Sequence, residues 1–248
     1  MPTERLQLLL PFPHAPGYDA RDFMPAGSNH DALAWLEIAW PDRRLALWGP
    51  AGCGKSHLLH VWAERTRARS LTGPMLTDQA LRDLDSLPEN GALVIDDADA
   101  VTSEPLLLHL LNAARDRGLH VLLAARMPPS RWPVRLPDLS SRLRAITAAE
   151  IRPPSDDLLA ALLIHLLADR QLSVTPSVQD WLLTRLPRSP DALRQAVSTL
   201  DQASLASRRA ITRAFAASVL EEGALAVTDA DEVSPSAIDP SSHHPGIL

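Results

Sequence analysis

Cysteine is almost absent from this sequence of 248 residues, in which Cys53 is the only one. A single cysteine excludes an internal disulfide framework and favours a reducing compartment. Basic residues are also in the minority: the chain has 24 Lys and Arg against 30 Asp and Glu, and its formal net charge is −6 at pH 7. A chain with this balance has no overall electrostatic footprint for nucleic acid, so we expect no strong direct nucleic-acid binding.

Long apolar runs are missing as well. No stretch approaches the roughly 20 apolar residues of a membrane-spanning helix, and the N-terminus lacks the charged-then-apolar pattern of a signal segment. We therefore expect a cytoplasmic protein without membrane association. Aromatic residues make up only 4% of the chain, so leucine and alanine must fill most of the core.

One stretch carries a motif for phosphate binding. Residues 49–56 read G-P-A-G-C-G-K-S and fit the pattern G-x-x-x-x-G-K-[ST], with an apolar run before them and a helical pattern after them. The glycines let backbone N–H groups surround the phosphates, Lys55 reaches the same phosphates, and Ser56 ligates Mg²⁺. Cys53 fills a variable position of the loop. The residues predicted to hold a nucleoside di- or triphosphate are Gly49, Pro50, Ala51, Gly52, Cys53, Gly54, Lys55 and Ser56.

A second apolar run ends in carboxylates. Residues 91–95 contain no polar side chain and are followed by Asp96 and Asp97. Such a run is typical of a parallel strand buried on both faces, whose carboxylates then emerge at the C-terminal edge of the sheet, beside the P-loop. We expect Asp96 to hold Mg²⁺, directly or through water, and Asp97 to position or deprotonate an attacking water.

The rest of the pattern alternates strands and helices and then becomes helical. Ser28 or Asn29 is expected to cap a helix that Pro41 ends. Further strands are predicted at 75–77, 120–126 and 146–151, and further helices at 104–114 and 136–144. Beyond residue 154, helices are predicted to begin at Ser155, Pro176, Ser189 and Ala210. The predicted fold class is therefore α/β, a parallel sheet flanked by helices, followed by a small all-α domain.

Pro153-Pro154 is the best domain boundary in the chain. The predicted divisions are an N-terminal peptide (1–13), a core domain (14–151), a helical domain (152–222) and a disordered tail (223–248).

These features resemble AAA+ ATPases, in particular the bacterial replication initiator DnaA and its relatives. The resemblance rests on G-P-A-G-C-G-K-S-H-L-L-H at 49–60, L-V-I-D-D at 93–97 and D-L-S-S-R-L at 138–143, and it extends from about Tyr18 to Leu220. It implies an AAA+ core with a helical lid that binds ADP or ATP with Mg²⁺. It also implies that His57 belongs to the nucleotide loop, that Arg194 is the lid arginine that touches the phosphates, and that Arg142 is the arginine finger.

The N-terminal segment Q-L-L-L-P-F at 7–12 has two interpretations. From the residues alone, an edge strand or an apolar tail packed on the domain is favoured over a linear docking peptide. The resemblance reverses this preference, because the segment looks like the Q-L-x-L-x-F peptide that binds the sliding clamp in DnaA-related proteins of the Hda type. The residues implied to contact the clamp are Gln7, Leu8, Leu10 and Phe12.

The resemblance also implies a function. Proteins of the Hda type dock on the DNA-loaded clamp and promote hydrolysis of DnaA-bound ATP, and no DNA-binding domain like that of DnaA follows the lid here. The implied partners are the sliding clamp and DnaA, the implied site of action is the nucleoid or replisome, and Arg142 would act in trans on the nucleotide of DnaA. The resemblance is compatible with a homodimer or a higher oligomer.

Three questions stay open at this point. The polar residue that usually ends the strand at 120–126 is replaced by Ala125 and Arg126, so the chain either hydrolyses its own nucleotide or holds ADP as a structural ligand. One alternative function is an autonomous DnaA-like or helicase-loader-like ATPase that acts on DNA. Another is a paralogue that docks on the clamp and acts on a different partner.

Overall fold

The computed structural model describes residues 23–221. The peptide predicted at 1–13 and the disordered tail predicted at 223–248 lie outside the described residues, and both stay predictions.

A five-stranded sheet forms the centre of the core. Its strands are β1 (Arg44–Trp48), β2 (Arg69–Thr72), β3 (Ala92–Asp96), β4 (His120–Ala125) and β5 (Thr147–Glu150). Their order is β2-β3-β4-β1-β5, and every neighbouring pair is parallel. The three central strands are almost wholly buried runs of apolar residues, as expected for strands that are covered on both faces.

Five helices cover the two faces of this sheet. They are α1 (His30–Leu36), α2 (Lys55–Thr66), α3 (Asp78–Leu84), α4 (Glu104–Asp116) and α5 (Pro137–Ala145). Helices α1 and α2 share one hydrophobic cluster with Leu45 and Leu47, whereas α3, α4 and α5 share another with Ala46. Neighbouring residues of β1 belong to different clusters because successive strand side chains point to opposite faces.

Four helices follow the sheet and form the lid. They are α6 (Asp156–Asp169), α7 (Pro176–Arg185), α8 (Pro190–Ser207) and α9 (213–221). Ser155 and Ser189 cap α6 and α8, since their side chains accept the backbone N–H groups of Leu158 and Ala192. The lid has a hydrophobic cluster of its own, built mainly of leucine with Phe215.

The predicted fold class, a P-loop α/β core followed by an all-α lid, is confirmed. Among residues 23–221, no helix has both the length and the apolar character to cross a bilayer.

The strand predicted at 75–77 is wrong. Gly73–Met75 form a 3₁₀ turn, and the strand lies earlier, at Arg69–Thr72. This strand lies at the edge of the sheet and exposes most of its side chains, so it needs no apolar run and leaves no periodic signal in the sequence.

Candidate functional site

The P-loop begins where β1 ends, between the ends of two neighbouring strands. The backbone N–H of Gly49 donates to the carbonyl oxygen of Ala125 in β4 at 3.2 Å, and that of Ile151 donates to Trp48 at 2.7 Å. A Cβ on Gly49 would collide with the carbonyl oxygen of Ile151. Glycine is therefore required at this position by the close approach of the segment that follows β5.

Two further glycines bend the loop toward the start of α2. Gly52 and Gly54 have φ angles of 73° and 103°, a region that side-chain-bearing residues avoid. Helix α2 begins directly afterwards, so its unpaired backbone N–H groups and the positive end of its dipole lie at the loop. Pro50 and Ala51 are exposed at the tip, and Ser56 is half-buried in the first turn of α2. This arrangement fits an anionic ligand.

Lys55 points back into the loop. Its side chain is buried, and its Nζ donates hydrogen bonds to the carbonyl oxygens of Gly49 and Pro50, both at 2.8 Å. The Cys53 Sγ lies 3.8 Å from the same Nζ. The ammonium group thus stands among backbone dipoles without a carboxylate partner among the described contacts, which suits a phosphate ligand.

Cys53 is a structural member of the loop. Burial raises the pKa of its thiol, although the neighbouring Lys55 acts in the opposite direction. A thiol with a raised pKa is a poor nucleophile, which agrees with a filler role.

The carboxylates predicted beside the P-loop lie at the C-terminal end of β3. Asp96 is half-buried, and its Oδ1 accepts the backbone N–H of Asp97 at 2.9 Å. Asp97 is exposed in a left-handed conformation with φ 46° and ψ 44°. The sequence pattern does not mark a role for Asp99, whose Oδ2 accepts the backbone N–H of Arg126 at 2.9 Å and so joins the ends of β3 and β4. The Arg126 side chain is exposed.

Magnesium would find a small set of protein ligands here. No group of three or more His, Cys, Asp or Glu side chains with metal-binding geometry occurs within residues 23–221. The Ser56 hydroxyl and the Asp96 carboxylate are hard oxygen donors, and Mg²⁺ commonly takes one or two such ligands and completes its octahedron with phosphate oxygens and water. The donors present therefore fit a magnesium ion that enters with a nucleotide.

A small cleft lies between the P-loop and the lid. Its walls are mostly apolar, and Arg194 is the one charged side chain among the lining residues. The lining residues are Phe23, Met24, Asn29, Cys53, Gly54, Pro154, Leu158, Leu162, Pro190 and Arg194.

The segment that leads into α1 forms one wall of the cleft, a role that the sequence pattern does not indicate. Asn29 precedes α1 as predicted, but its side chain does not cap the helix. It accepts the backbone N–H of Ala26 at 2.8 Å and donates to the carbonyl oxygen of Met24 at 3.0 Å. Phe23 then packs edge-on against the buried ring of His57, with 5.3 Å between the ring centroids. His57 therefore supports the wall from behind.

Arg194 reaches the cleft from α8. Its side chain is only 12% exposed, and its Nη1 lies 3.2 Å from the carboxylate of Asp191 one turn earlier. Helix α8 thus carries into the cleft the lid arginine that the resemblance implied.

Arg142 lies elsewhere. It occupies the last turn of α5, which ends just before β5 begins and therefore at the N-terminal edge of the sheet. The P-loop is at the C-terminal edge. The structure brings the P-loop, the carboxylates of β3 and Arg194 toward one site and leaves Arg142 out of it. Gln7, Leu8, Leu10 and Phe12 lie outside the described residues.

Comparison with known proteins agrees with this architecture. Residues 156–220 match the family model of the Hda lid domain. An uncharacterized protein of Haemophilus influenzae is 28% identical over 184 residues, which cover 70% of this chain and 80% of that protein.

Solved structures show the same fold. Domain III of the Thermotoga maritima replication initiation protein DnaA gives a TM-score of 0.68 at 18% identity, covering 85% of this chain and 98% of that chain. AMPPCP-bound DnaA from Aquifex aeolicus gives 0.60 at 16% identity, covering 74% and 65%. A Thermotoga maritima RuvB variant gives 0.60 at 17% identity, covering 78% and 68%.

A parallel sheet of this order, with a P-loop after β1 and a helical lid beside it, is the AAA+ P-loop fold. Within that fold, residues 156–220 match the Hda lid model, and the core has the fold of DnaA domain III. The resemblance inferred from the sequence motifs is confirmed at this level. Together the matches show a DnaA-like fold that carries a lid of the Hda type.

Proposed function

We propose that this protein is a nucleotide-holding adaptor that docks on the DNA-loaded sliding clamp and stimulates hydrolysis of DnaA-bound ATP. The observation that carries the proposal is the match of residues 156–220 to the Hda lid on a core with the DnaA fold. The regulator and its target would then share one architecture, which lets the two associate as neighbouring AAA+ subunits do.

The nucleotide of this chain is proposed to be ADP or ATP with Mg²⁺. Lys55 and the N-terminus of α2 would hold the phosphates, Ser56 and Asp96 the metal, and the cleft lined by Phe23 and Arg194 the remainder of the nucleotide. A DnaA neighbour solved with AMPPCP supports this assignment. A ligand that bridges P-loop and lid would also fix the angle between them.

Arg142 is proposed to act on the nucleotide of DnaA. The strand β1 joins the two edges of the sheet, and its five residues span roughly 13 Å at about 3.3 Å per residue. An arginine at the N-terminal edge is therefore badly placed to reach the P-loop of its own chain and well placed to face another subunit. An arginine supplied in trans neutralises charge on the transferred phosphoryl group and raises the rate by about 10³–10⁵ in other NTPases.

Clamp docking is proposed for the segment 7–12, with Gln7, Leu8, Leu10 and Phe12 as its anchors. Tethering raises the local concentration of the regulator near loaded clamps without any new contact to DnaA. Stimulation would then be confined to DNA that is being replicated.

The test is hydrolysis of ATP preloaded on DnaA, measured with this protein in the presence and absence of DNA-loaded clamp. We expect clamp-dependent stimulation that Arg142→Ala abolishes. Arg144→Ala is the matched control, because Arg144 is exposed on the same helix and its side chain bonds only to Ser140 Oγ, at 2.9 Å, among the described contacts. Equal loss of stimulation in both variants, or stimulation retained by Arg142→Ala, would show that Arg142 is not the arginine finger.

The clamp arm has its own control. Leu10→Ala combined with Phe12→Ala should abolish capture by loaded clamp, whereas Leu9→Ala, at a variable position of Q-L-x-L-x-F, should leave it unchanged. If loaded clamp captures the double variant as well as the wild type, residues 7–12 pack on the domain and do not dock on the clamp.

The autonomous ATPase is the second candidate, and the acidic pair that closes β3 is the observation in its favour. The same assay separates the two. Turnover of ATP by this protein alone, without any effect on DnaA, would favour the autonomous enzyme.

A further inference from the structure

Three arginines from three different elements meet at the N-terminal edge of the sheet. Arg44 is the first residue of β1, Arg115 lies in the last turn of α4, and Arg142 lies in the last turn of α5. Both helices lead into a parallel strand, so their C-terminal ends reach the edge where the strands begin. We call this set the edge arginines.

The edge arginines also share one face of the sheet. Arg44 points to the same side as Ala46, two residues further along β1, and Ala46 belongs to the hydrophobic cluster that contains Ala114 and Leu143. Arg115 and Arg142 are the sequence neighbours of those two residues. Electrostatic coupling agrees with this placement. Burial lowers the pKa of Arg44, the charge of Asp42 opposes this, and the smaller effects of Arg115 and Arg142 lower the pKa further.

The positive charge of the edge arginines is poorly balanced. Arg44 is only 6% exposed, and within residues 23–221 its side chain makes no hydrogen bond or ion pair. The Nε of Arg142 is buried and has no acceptor in the same part of the chain. Arg115 has Asp116 at 3.4 Å, but both side chains are more than half exposed, so this pair is screened by water.

A buried cation that makes no hydrogen bond is costly. The charge of Asp42 offsets only part of this cost, because burial still leaves the pKa of Arg44 lowered, and helix dipoles do not explain the position of Arg44. The C-terminal ends of α4 and α5 favour cations in their last turns, which accounts for Arg115 and for the exposed Arg144. Arg44 lies on a strand, so no helix dipole stabilises its charge in the same way. An anion supplied from outside the chain would satisfy the cluster.

We propose that the edge arginines form one binding site for the terminal phosphates of a nucleotide held by another subunit, so that Arg142 acts together with Arg44 and Arg115. This inference rests on the proposed trans action of Arg142 and extends it. Guanidinium groups suit the task because each presents several N–H donors in a plane that matches phosphate oxygens. Together the three guanidinium groups supply three positive charges to a strongly anionic triphosphate.

The direct test measures binding of inorganic tripolyphosphate by calorimetry. The full chain carries Lys55→Ala in every arm, so that its own P-loop is weakened as a competing anion site. Lys55 is the only lysine in the sequence, so the remaining cationic side chains are arginines and histidines. Adding Arg44→Gln should weaken binding by about tenfold or more, as expected for one charge-assisted contact, and adding Arg144→Gln should leave it unchanged. Equal binding with and without Arg44→Gln overturns the proposal.

Arg44 is buried, so its variant is checked for folding by circular dichroism. Should it fail to fold, the exposed Arg115→Gln takes its place, with an expected loss of about threefold and the same Arg144→Gln control. An acidic peptide that binds as tightly as tripolyphosphate, with the same dependence on the edge arginines, would assign the site to an acidic protein surface and overturn the phosphate proposal.

A second arm separates this inference from the proposed function. In the DnaA hydrolysis assay, Arg44→Gln and Arg115→Gln should each reduce stimulation by at least about threefold while clamp capture stays unchanged. Full stimulation by both variants overturns the inference and leaves the finger role of Arg142 intact. If the wild-type protein does not stimulate hydrolysis, the proposed function is wrong. The tripolyphosphate titration then tests the anion site by itself.

Discussion

Gly52 of the P-loop lies directly against Ser189, the residue that caps the lid helix α8. A Cβ built on Gly52 would collide with the Cβ of Ser189, so only glycine allows this contact between core and lid. The same helix carries Arg194 into the cleft. The position of the lid is therefore set partly at the loop that holds the phosphates.

We expect Gly52→Ala to destabilise the protein and to weaken nucleotide binding. The φ angle of 73° costs a side-chain-bearing residue about 1–2 kcal/mol, and the new methyl group pushes α8 away from the loop. Urea unfolding and calorimetric titration with Mg·ADP measure the two effects.

Gly27→Ala is the matched control for this variant. A Cβ at Gly27 would meet nothing within 4 Å, and its φ angle is not positive. Adding Ser189→Gly to Gly52→Ala should restore part of the ADP affinity, because it removes the colliding carbon and glycine still serves as a helix cap at a cost of a few tenths of a kcal/mol. An unchanged affinity in Gly52→Ala would show that the contact does not position the lid.

Lys55 can be tested by chemical labelling. Because it is the only lysine in the sequence, an amine-specific acylating reagent has only its ε-amine and the α-amino group as targets. We expect saturating Mg·ADP to slow modification of Lys55 by about tenfold or more, since the ammonium would then face phosphate. The α-amino group of the same molecule is the internal control. An equal rate with and without ADP, read by mass spectrometry, would contradict the P-loop assignment.

The sequence predicts the inner sheet because physics leaves few alternatives there. Continuous short apolar runs at β3 and β4 are typical of strands covered on both faces, and the turn to a P-loop and helix after β1 has a fixed pattern of glycines and one lysine. Helix starts at Ser155 and Ser189 are equally local, because one hydroxyl and the N–H groups that follow it determine them.

Features that depend on distant contacts could not be predicted in this way. The wall formed by Phe23 and Asn29 depends on His57 and on backbone groups that the sequence does not mark. Likewise, the edge arginines are far apart in the chain, and only the direction of α4 and α5 relative to the strands brings them together. The position of strand β2 could not be predicted, because an exposed edge strand has no hydrophobic periodicity.

Asp97 combines a chemical role with a conformational one, and two substitutions separate them. Its φ of 46° is tolerated by Asp and Asn and disfavoured for alanine. We expect Asp97→Asn to keep the free energy of unfolding within about 0.5 kcal/mol of the wild type and Asp97→Ala to lower it by about 1 kcal/mol. Any ATP turnover by this chain alone should fall in both. Equal stability of the two variants would argue against the left-handed conformation.

Glu104 holds the start of the helix that carries Arg142. Its carboxylate accepts the backbone N–H groups of Arg135 and Leu136 at 2.9 and 2.8 Å, just before α5 begins. These two hydrogen bonds lower the pKa of Glu104 below its ordinary value. We expect Glu104→Gln to loosen the start of α5 and to reduce stimulation of DnaA hydrolysis.

The pH dependence follows from the direction of that pKa change. A carboxyl group with a lower pKa in the folded chain stabilises it above the unfolded pKa of about 4.3, and the contribution disappears as the pH falls through the folded pKa. The stability difference between wild type and Glu104→Gln should therefore be constant from about pH 5 to 7 and shrink below about pH 4. Urea unfolding at several pH values measures it, with the exposed Glu89→Gln as the control. A difference that persists unchanged at pH 3 would mean that the carboxylate charge is not what holds α5.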